Sequence, residues 1–90
     1  MSLAPVLARI DADLKNSTER LLELLRIPSI STDTCYAEDC QKAADWLVAD
    51  LTSLGAEVSK RQTQGHPMVV GHITPPDSNR KPHLLFYGHY

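Results

Sequence analysis

The spacing of the apolar residues changes near Gly55, and this change constrains the fold more than any other feature of the sequence. Before Gly55 the apolar residues recur at alternating intervals of four and three, which is the period of an amphipathic helix. After Gly55 they alternate with polar residues or form short unbroken runs, which is typical of strands. The sequence therefore predicts helices followed by strands, in an α/β arrangement.

Two helices are predicted in the first half of the chain. The first ends before Pro28, because a proline disfavours the helical conformation of the residue that precedes it. Its apolar stripe leaves a short coiled coil open, although a helix laid on a sheet is the preferred interpretation; the stripe consists of Leu3, Leu7, Ile10, Leu14, Ser17, Leu21 and Leu24. The second helix is placed at 36–54, with Asp33 or Thr34 as its N-cap and Gly55 as its left-handed C′ residue.

Three strands are predicted in the second half. Residues 56–63 alternate and indicate a half-exposed strand, and residues 68–73 and 83–89 follow as the second and third strands. The unbroken apolar run Leu84–Tyr87 is typical of a central strand that helices cover on both faces. Two helices are too few for that cover, so the sequence predicts the start of a three-layer α/β/α domain with an incomplete sheet.

The charge and hydropathy patterns argue against some classes of partner. The net charge is −2, and acidic and basic residues are mixed along the chain. A nucleic-acid or anionic-membrane surface needs clustered Lys and Arg, so neither partner is expected. No segment approaches the roughly 18 apolar residues of a membrane span, and the first residues lack the features of a secretory signal.

The two cysteines, Cys35 and Cys40, lie close together near the start of the second helix. They do not form a disulfide framework, and no other residues stand at the spacing of a zinc finger. We expect free thiols in a reducing, cytoplasmic environment.

One histidine stands where α/β proteins commonly place functional groups. His89 follows the third predicted strand and Gly88, and ligands bind at the carboxyl ends of such strands. An imidazole there can bind a metal or act as a general base. A histidine that ends a strand is also common as a solvated loop residue, so position alone does not decide between these interpretations.

The segment that contains His89 resembles a known metal-binding motif. LLFYGHY at 84–90 resembles the first motif of the di-zinc amidohydrolases, which is an apolar strand followed by G-H-x-D. This family includes aminoacylases, acetylornithine deacetylase, succinyl-diaminopimelate desuccinylase and carnosine-type dipeptidases. RLLELLRIPSIST at 20–32, AADWLVADLTSLGAEV at 43–58 and GHPMVVGHI at 65–73 resemble the family's preceding helices and strands in the same order.

The resemblance implies a function and a cofactor. His89 would be a ligand in a site of two zinc ions, or of cobalt or manganese, that activates water against a dipeptide or an N-acyl amino acid. The family's motif continues with an aspartate two residues after the histidine, whereas this sequence ends at Tyr90. The expectation is that residues 1–90 are the N-terminal portion of a catalytic domain. The rest of that domain and a lid or dimerisation domain would be absent.

The resemblance assigns no catalytic residue to this chain, and the chain is expected to be inactive alone. The intact protein would be a homodimer. The alternatives are a non-catalytic small α/β binding or assembly module and an inactive relative of the family. His66, His72 and His83 are expected to be turn, strand and surface residues without a functional role. Ser29 and Ser31 lack the partners of a nucleophile, and Trp46 lies off its helix's apolar stripe.

Overall fold

The computed structural model describes residues 2–90, without the side chain of residue 78, as helices followed by a hairpin. The elements are α1 (Ala4–Ala12), α2 (Leu14–Leu25), a 3₁₀ turn (Thr34–Tyr36), α3 (Ala37–Ser53), β1 (Glu57–Arg61), β2 (Met68–His72) and a second 3₁₀ turn (Ser78–Arg80). The described residues therefore form a mixed α/β structure with three α-helices and a two-stranded antiparallel sheet.

The first predicted helix is interrupted once, at Asp13. The backbone of this residue has φ −101° and ψ 5°, outside the helical range, so α1 and α2 are separate elements. Helical hydrogen bonding nevertheless continues, because Asp13 N–H donates to the Arg9 carbonyl and Ser17 N–H donates to the Asp13 carbonyl. We call α1 and α2 together the N-terminal arm.

The C-terminal end of α3 follows the predicted signal, and a 3₁₀ turn separates its N-terminal end from the predicted cap. The Asp33 carboxylate accepts a hydrogen bond of 2.9 Å from Cys35 N–H, so Asp33 caps the 3₁₀ turn that leads into the helix. Glu38 and Asp39 in the first turn of α3 interact favourably with the helix dipole. Gly55 follows the helix with φ +88°, the left-handed conformation that a helix C-terminus favours. The prediction for Gly55 is confirmed, whereas Asp33 caps the 3₁₀ turn and not α3 itself, whose N-cap is Tyr36 without a side-chain hydrogen bond.

The hairpin of β1 and β2 packs against α3, and the small core lies between them. The strands pair in register from Glu57 opposite His72 to Arg61 opposite Met68. Gly71 lies close to the helix, since a Cβ built there would be 3.5 Å from a methyl group of Leu51. Small side chains on α3 allow this approach; those buried in the core are Cys40, Ala43 and Ala44.

The third predicted strand, 83–89, does not form: the described residues from 83 to 90 contain neither helix nor strand. A strand needs a neighbour to share its hydrogen bonds, and the two described strands pair only with each other. The apolar run predicted to be buried is exposed instead, with Leu85 91% and Phe86 88% accessible. The apolar composition of Leu84–Tyr87 predicts burial, but no other part of the described chain covers these residues.

The described chain leaves more surface in contact with water than a folded domain of its size. It exposes 7714 Å², whereas a compact monomer of 10.0 kDa exposes about 5,200 Å². Its radius of gyration is 15.8 Å, against about 12 Å for a compact domain of 90 residues. Much of the excess is apolar, along the N-terminal arm and in Leu84–Tyr87.

Candidate functional site

The candidate metal ligand, His89, is exposed and hydrogen-bonded to a neighbouring tyrosine. Its Nε2 atom lies 2.8 Å from the hydroxyl oxygen of Tyr87, and it accepts that hydrogen bond in the tautomer with the proton on Nδ1. The two rings meet edge to face, with centroids 5.6 Å apart and planes at 89°. Any group that binds His89 through Nε2 must therefore displace the Tyr87 hydroxyl.

Tyr90 attaches the end of this segment to the hairpin. Its hydroxyl donates a hydrogen bond to the backbone carbonyl of Pro67, which is a buried residue just before β2. Burial raises the pKa of the Tyr90 phenol above its usual value of 10.0, and the neighbouring Cys40 adds to the shift. The neutral phenol is thus the form that the fold favours, and it holds His89 beside the helices.

An apolar cleft of about 530 Å³ lies next to His89. The last turns of α2 and the loop that follows form one wall, and His89 and Tyr90 form the other. A cleft of this size is within the range of small-molecule sites, which are usually apolar with a few polar groups. Its lining residues with polar side chains are Ser29, His89 and Tyr90.

The described residues do not form a metal centre by themselves. Zinc sites have three protein ligands when they are catalytic and four when they are structural. Among residues 2–90 no three His, Cys, Asp or Glu side chains come together in an arrangement that would hold a metal ion. His89 is therefore a single imidazole without described co-ligands, and no chemical step through a metal follows from this chain.

Two hydrogen bonds between distant parts of the chain are not predicted by the sequence pattern. His66, expected to have no role, has its Nε2 atom 2.7 Å from the Ser31 carbonyl oxygen and so joins the hairpin turn to the loop after α2. The contact of Tyr90 with Pro67 likewise has no counterpart in the sequence pattern. Both contacts connect residues far apart in the chain, which periodicity does not reveal.

A second, more polar cleft of about 300 Å³ lies between α2 and α3. Arg20 donates two hydrogen bonds to the Asp50 carboxylate, from Nη2 at 2.6 Å and from Nε at 3.1 Å. The hydrogen bond and charge of Asp50 raise the pKa of Arg20, so this guanidinium stays charged. Trp46, half-buried, lines the same cleft, which accounts for its position off the apolar stripe of α3.

The free cysteines are confirmed: Cys35 is exposed and Cys40 is buried. No helix in residues 2–90 combines the length and the apolar sequence that crossing a membrane requires.

Comparison with known proteins gives one similarity to a curated enzyme. The chain is 30% identical over 100 residues to the Cys-Gly metallodipeptidase dug1 of Schizosaccharomyces pombe. All of this chain is included, but it corresponds to only 21% of that protein, so the chain spans about a fifth of the length of the relative it matches. The similarity supports a metallopeptidase-like family and no finer assignment.

No protein-family model matches the chain. No solved structure matches it either.

Proposed function

We propose that these 90 residues belong to the catalytic domain of a longer metal-dependent hydrolase of peptide or amide bonds. The similarity to a metallodipeptidase carries the proposal, because it extends over the whole chain. The substrates would be dipeptides such as Cys-Gly, which the relative's name mentions, or N-acyl amino acids. In this proposal the 90 residues are the N-terminal portion of a three-layer α/β/α domain, and the intact protein also has a lid or dimerisation domain and forms a homodimer.

In this proposal His89 is one ligand of a zinc site whose other ligands come from the rest of the longer protein. Bound zinc would supply an activated water and a polarised carbonyl. What the described residues contribute is placement: Tyr90 attaches the segment to Pro67, and the Tyr87 hydroxyl hydrogen-bonds to the imidazole. The adjoining apolar cleft offers room for an apolar part of a substrate.

The exposed surface also supports a longer protein rather than a complete small module. A binding module of this size would be expected to bury its apolar run, whereas Leu84–Tyr87 is exposed. In a larger sheet a neighbouring strand and a second helical layer would cover these residues. The alternative, a non-catalytic α/β binding or assembly module, predicts a 90-residue chain that is monodisperse by itself.

The first experiment measures the intact mass of the protein from its natural source and the gene sequence past codon 90. A longer product is then assayed with Cys-Gly and with N-acyl amino acids, with and without a chelator. The expected result is an activity that the chelator removes. A natural product of 10.0 kDa would overturn the proposal of a longer enzyme.

The role of His89 is tested separately in the longer product, by His89→Ala with His83→Ala as the matched control. Both histidines are exposed in the same segment, but only His89 lies in the G-H motif. We expect His89→Ala to lower both bound zinc and activity, and His83→Ala to change neither. If the His89→Ala variant binds as much zinc and is as active as the His83→Ala variant, His89 is not a zinc ligand.

A further inference from the structure

Two consecutive residues in the turn between β1 and β2 bind the opposite walls of the apolar cleft. The His66 Nε2 atom donates a hydrogen bond of 2.7 Å to the Ser31 carbonyl, and Ser31 directly follows Ile30 in the wall that α2 and its loop form. The carbonyl of the next residue, Pro67, accepts the hydrogen bond of Tyr90, which belongs to the other wall. The two walls are therefore connected to each other through this turn.

The turn is held in one conformation by its own side chains. The Thr63 hydroxyl donates a hydrogen bond of 2.7 Å to the His66 carbonyl and accepts one of 3.0 Å from Gly65 N–H. Pro67 is buried, and its ring fixes the backbone angle φ at that position. Because the turn is braced in this way, a displacement of one wall is passed to the other instead of being absorbed between them.

The polar connection between the walls has no second route in the described chain. Among the hydrogen bonds of residues 2–90, none joins residues 21–31 directly to residues 84–90. The cleft is lined by apolar residues together with Ser29, His89 and Tyr90, so no ion pair crosses it. The two hydrogen bonds of the turn are thus the directional contacts that set the separation of the walls.

We propose that His66 is a positioning residue of the proposed hydrolase site. By binding the loop at Ser31 to the turn that also binds Tyr90, it sets the width of the apolar cleft and the distance of His89 from α2. The inference rests on the proposed function, in which the cleft receives an apolar part of the substrate beside His89. His66 itself contacts neither substrate nor metal and acts through Ser31 and the turn.

A spectroscopic test does not depend on catalysis. It uses the protein at the length that its gene encodes, with the histidine and tyrosine rings labelled with ¹³C. His66→Ala removes the donor, and His66→Gln keeps an N–H group that can reach the same carbonyl. We expect the ring resonances of His89 and Tyr90 to shift in His66→Ala and to return toward their original positions in His66→Gln.

Unchanged methyl resonances of Ala43 and Ala44, which are buried between α3 and the hairpin, show that the variants keep their core. Resonance changes that are confined to the loop around Ser31 would show that this wall moves without the other. That result would overturn the proposal, as would identical spectra of His66→Ala and His66→Gln.

A kinetic test in the longer protein compares Leu-Gly with Gly-Gly. We expect His66→Ala to lower kcat/KM for Leu-Gly by about tenfold, since a displaced wall no longer fits the leucine side chain. The loss for Gly-Gly should be smaller, because glycine places no side chain in the cleft. His66→Gln should recover most of the activity, and His83→Ala, an exposed histidine without a described hydrogen bond, is the control.

Equal losses for Leu-Gly and Gly-Gly would show a general loss of structure and would contradict the role of His66 in the cleft. Absence of dipeptide hydrolysis in the unmodified protein would instead count against the proposed function. In that case the ring resonances of His89 and Tyr90 still decide whether His66 connects the two walls.

Discussion

The Tyr90 hydroxyl donates a hydrogen bond to the Pro67 carbonyl, so the segment that contains His89 is held to the start of β2. The contact joins residues 23 positions apart and does not depend on a third strand. This side chain therefore links the segment of the candidate ligand to the hairpin.

Tyr90→Phe should lower the free energy of unfolding by about 0.5–1.5 kcal/mol, since it removes this hydrogen bond and leaves the Pro67 carbonyl without the donor. Urea unfolding at neutral pH measures the change. Tyr87→Phe is the control, because the Tyr87 hydroxyl contacts only the exposed His89 within the described hydrogen bonds. Equal stability of Tyr90→Phe and the unmodified chain would contradict the role of this contact.

The same phenol predicts a loss of stability at alkaline pH. Burial raises the folded-state pKa of Tyr90 above 10.0, so its contribution to stability is complete below pH 10.0 and is lost as the pH rises through the folded-state value. Unfolding free energies measured upward from pH 9 should fall more steeply for the unmodified chain than for Tyr90→Phe. Parallel curves would show that the phenol does not titrate differently in the two states.

Replacement of Gly55 and of Gly71 by alanine should change the stability of the fold differently. Gly55 has φ +88°, and an alanine there should cost roughly 1–2 kcal/mol through backbone strain alone, since no atom lies within 4 Å of its added Cβ. Gly71→Ala is the matched control: its Cβ would make ordinary contacts at 3.5 to 3.8 Å, so stability should be unchanged or rise by up to about 1 kcal/mol. Thermal or urea unfolding of both variants gives the comparison, and a harmless Gly55→Ala would refute the argument from backbone conformation.

Removing the Asp50 carboxylate should loosen the N-terminal arm. Asp50→Asn weakens the ion pair with Arg20, so backbone amides of α2 should exchange with solvent faster while those of α3 change little. The difference should shrink at high salt, which screens the pair in the unmodified chain. Asp39→Asn, which affects a long i,i+3 contact to Lys42 at 3.8 Å, is the control and should leave α2 unchanged.

Zinc should have little effect on the 90-residue chain alone. With one imidazole and no described group of three ligands, binding should be weak, and a chelator should leave the melting temperature unchanged. No zinc-dependent cleavage of Cys-Gly is expected from the chain. A tight, stoichiometric zinc complex measured by calorimetry would mean that the side chains rearrange into a site that the structure does not contain.

Features that depend on neighbouring residues could be predicted from the sequence. Features that depend on partners distant in the chain could not. The caps at Asp33 and Gly55 and the positions of β1 and β2 were predictable, because each is set by local backbone and side-chain preferences. The interruption at Asp13 was not, since the apolar stripe continues across it unchanged. The third strand failed for a different reason: a strand is defined by its neighbour, and an apolar run does not provide one.

The same distinction applies to the candidate site. The order and type of the residues are sufficient to identify Gly88 and His89. The contact of Tyr87 with the His89 Nε2 atom and that of Tyr90 with Pro67 are visible only in the three-dimensional structure. The metal role of His89 stays a prediction.

The unequal burial of the two cysteines gives the molecule its own folding reporter. Cys35 is exposed and Cys40 is 2% accessible between α3 and the hairpin, so a thiol reagent should modify the first at once and the second only when the helix separates from the sheet. The rate at which the second label appears would report how often this small core opens, without any engineered probe.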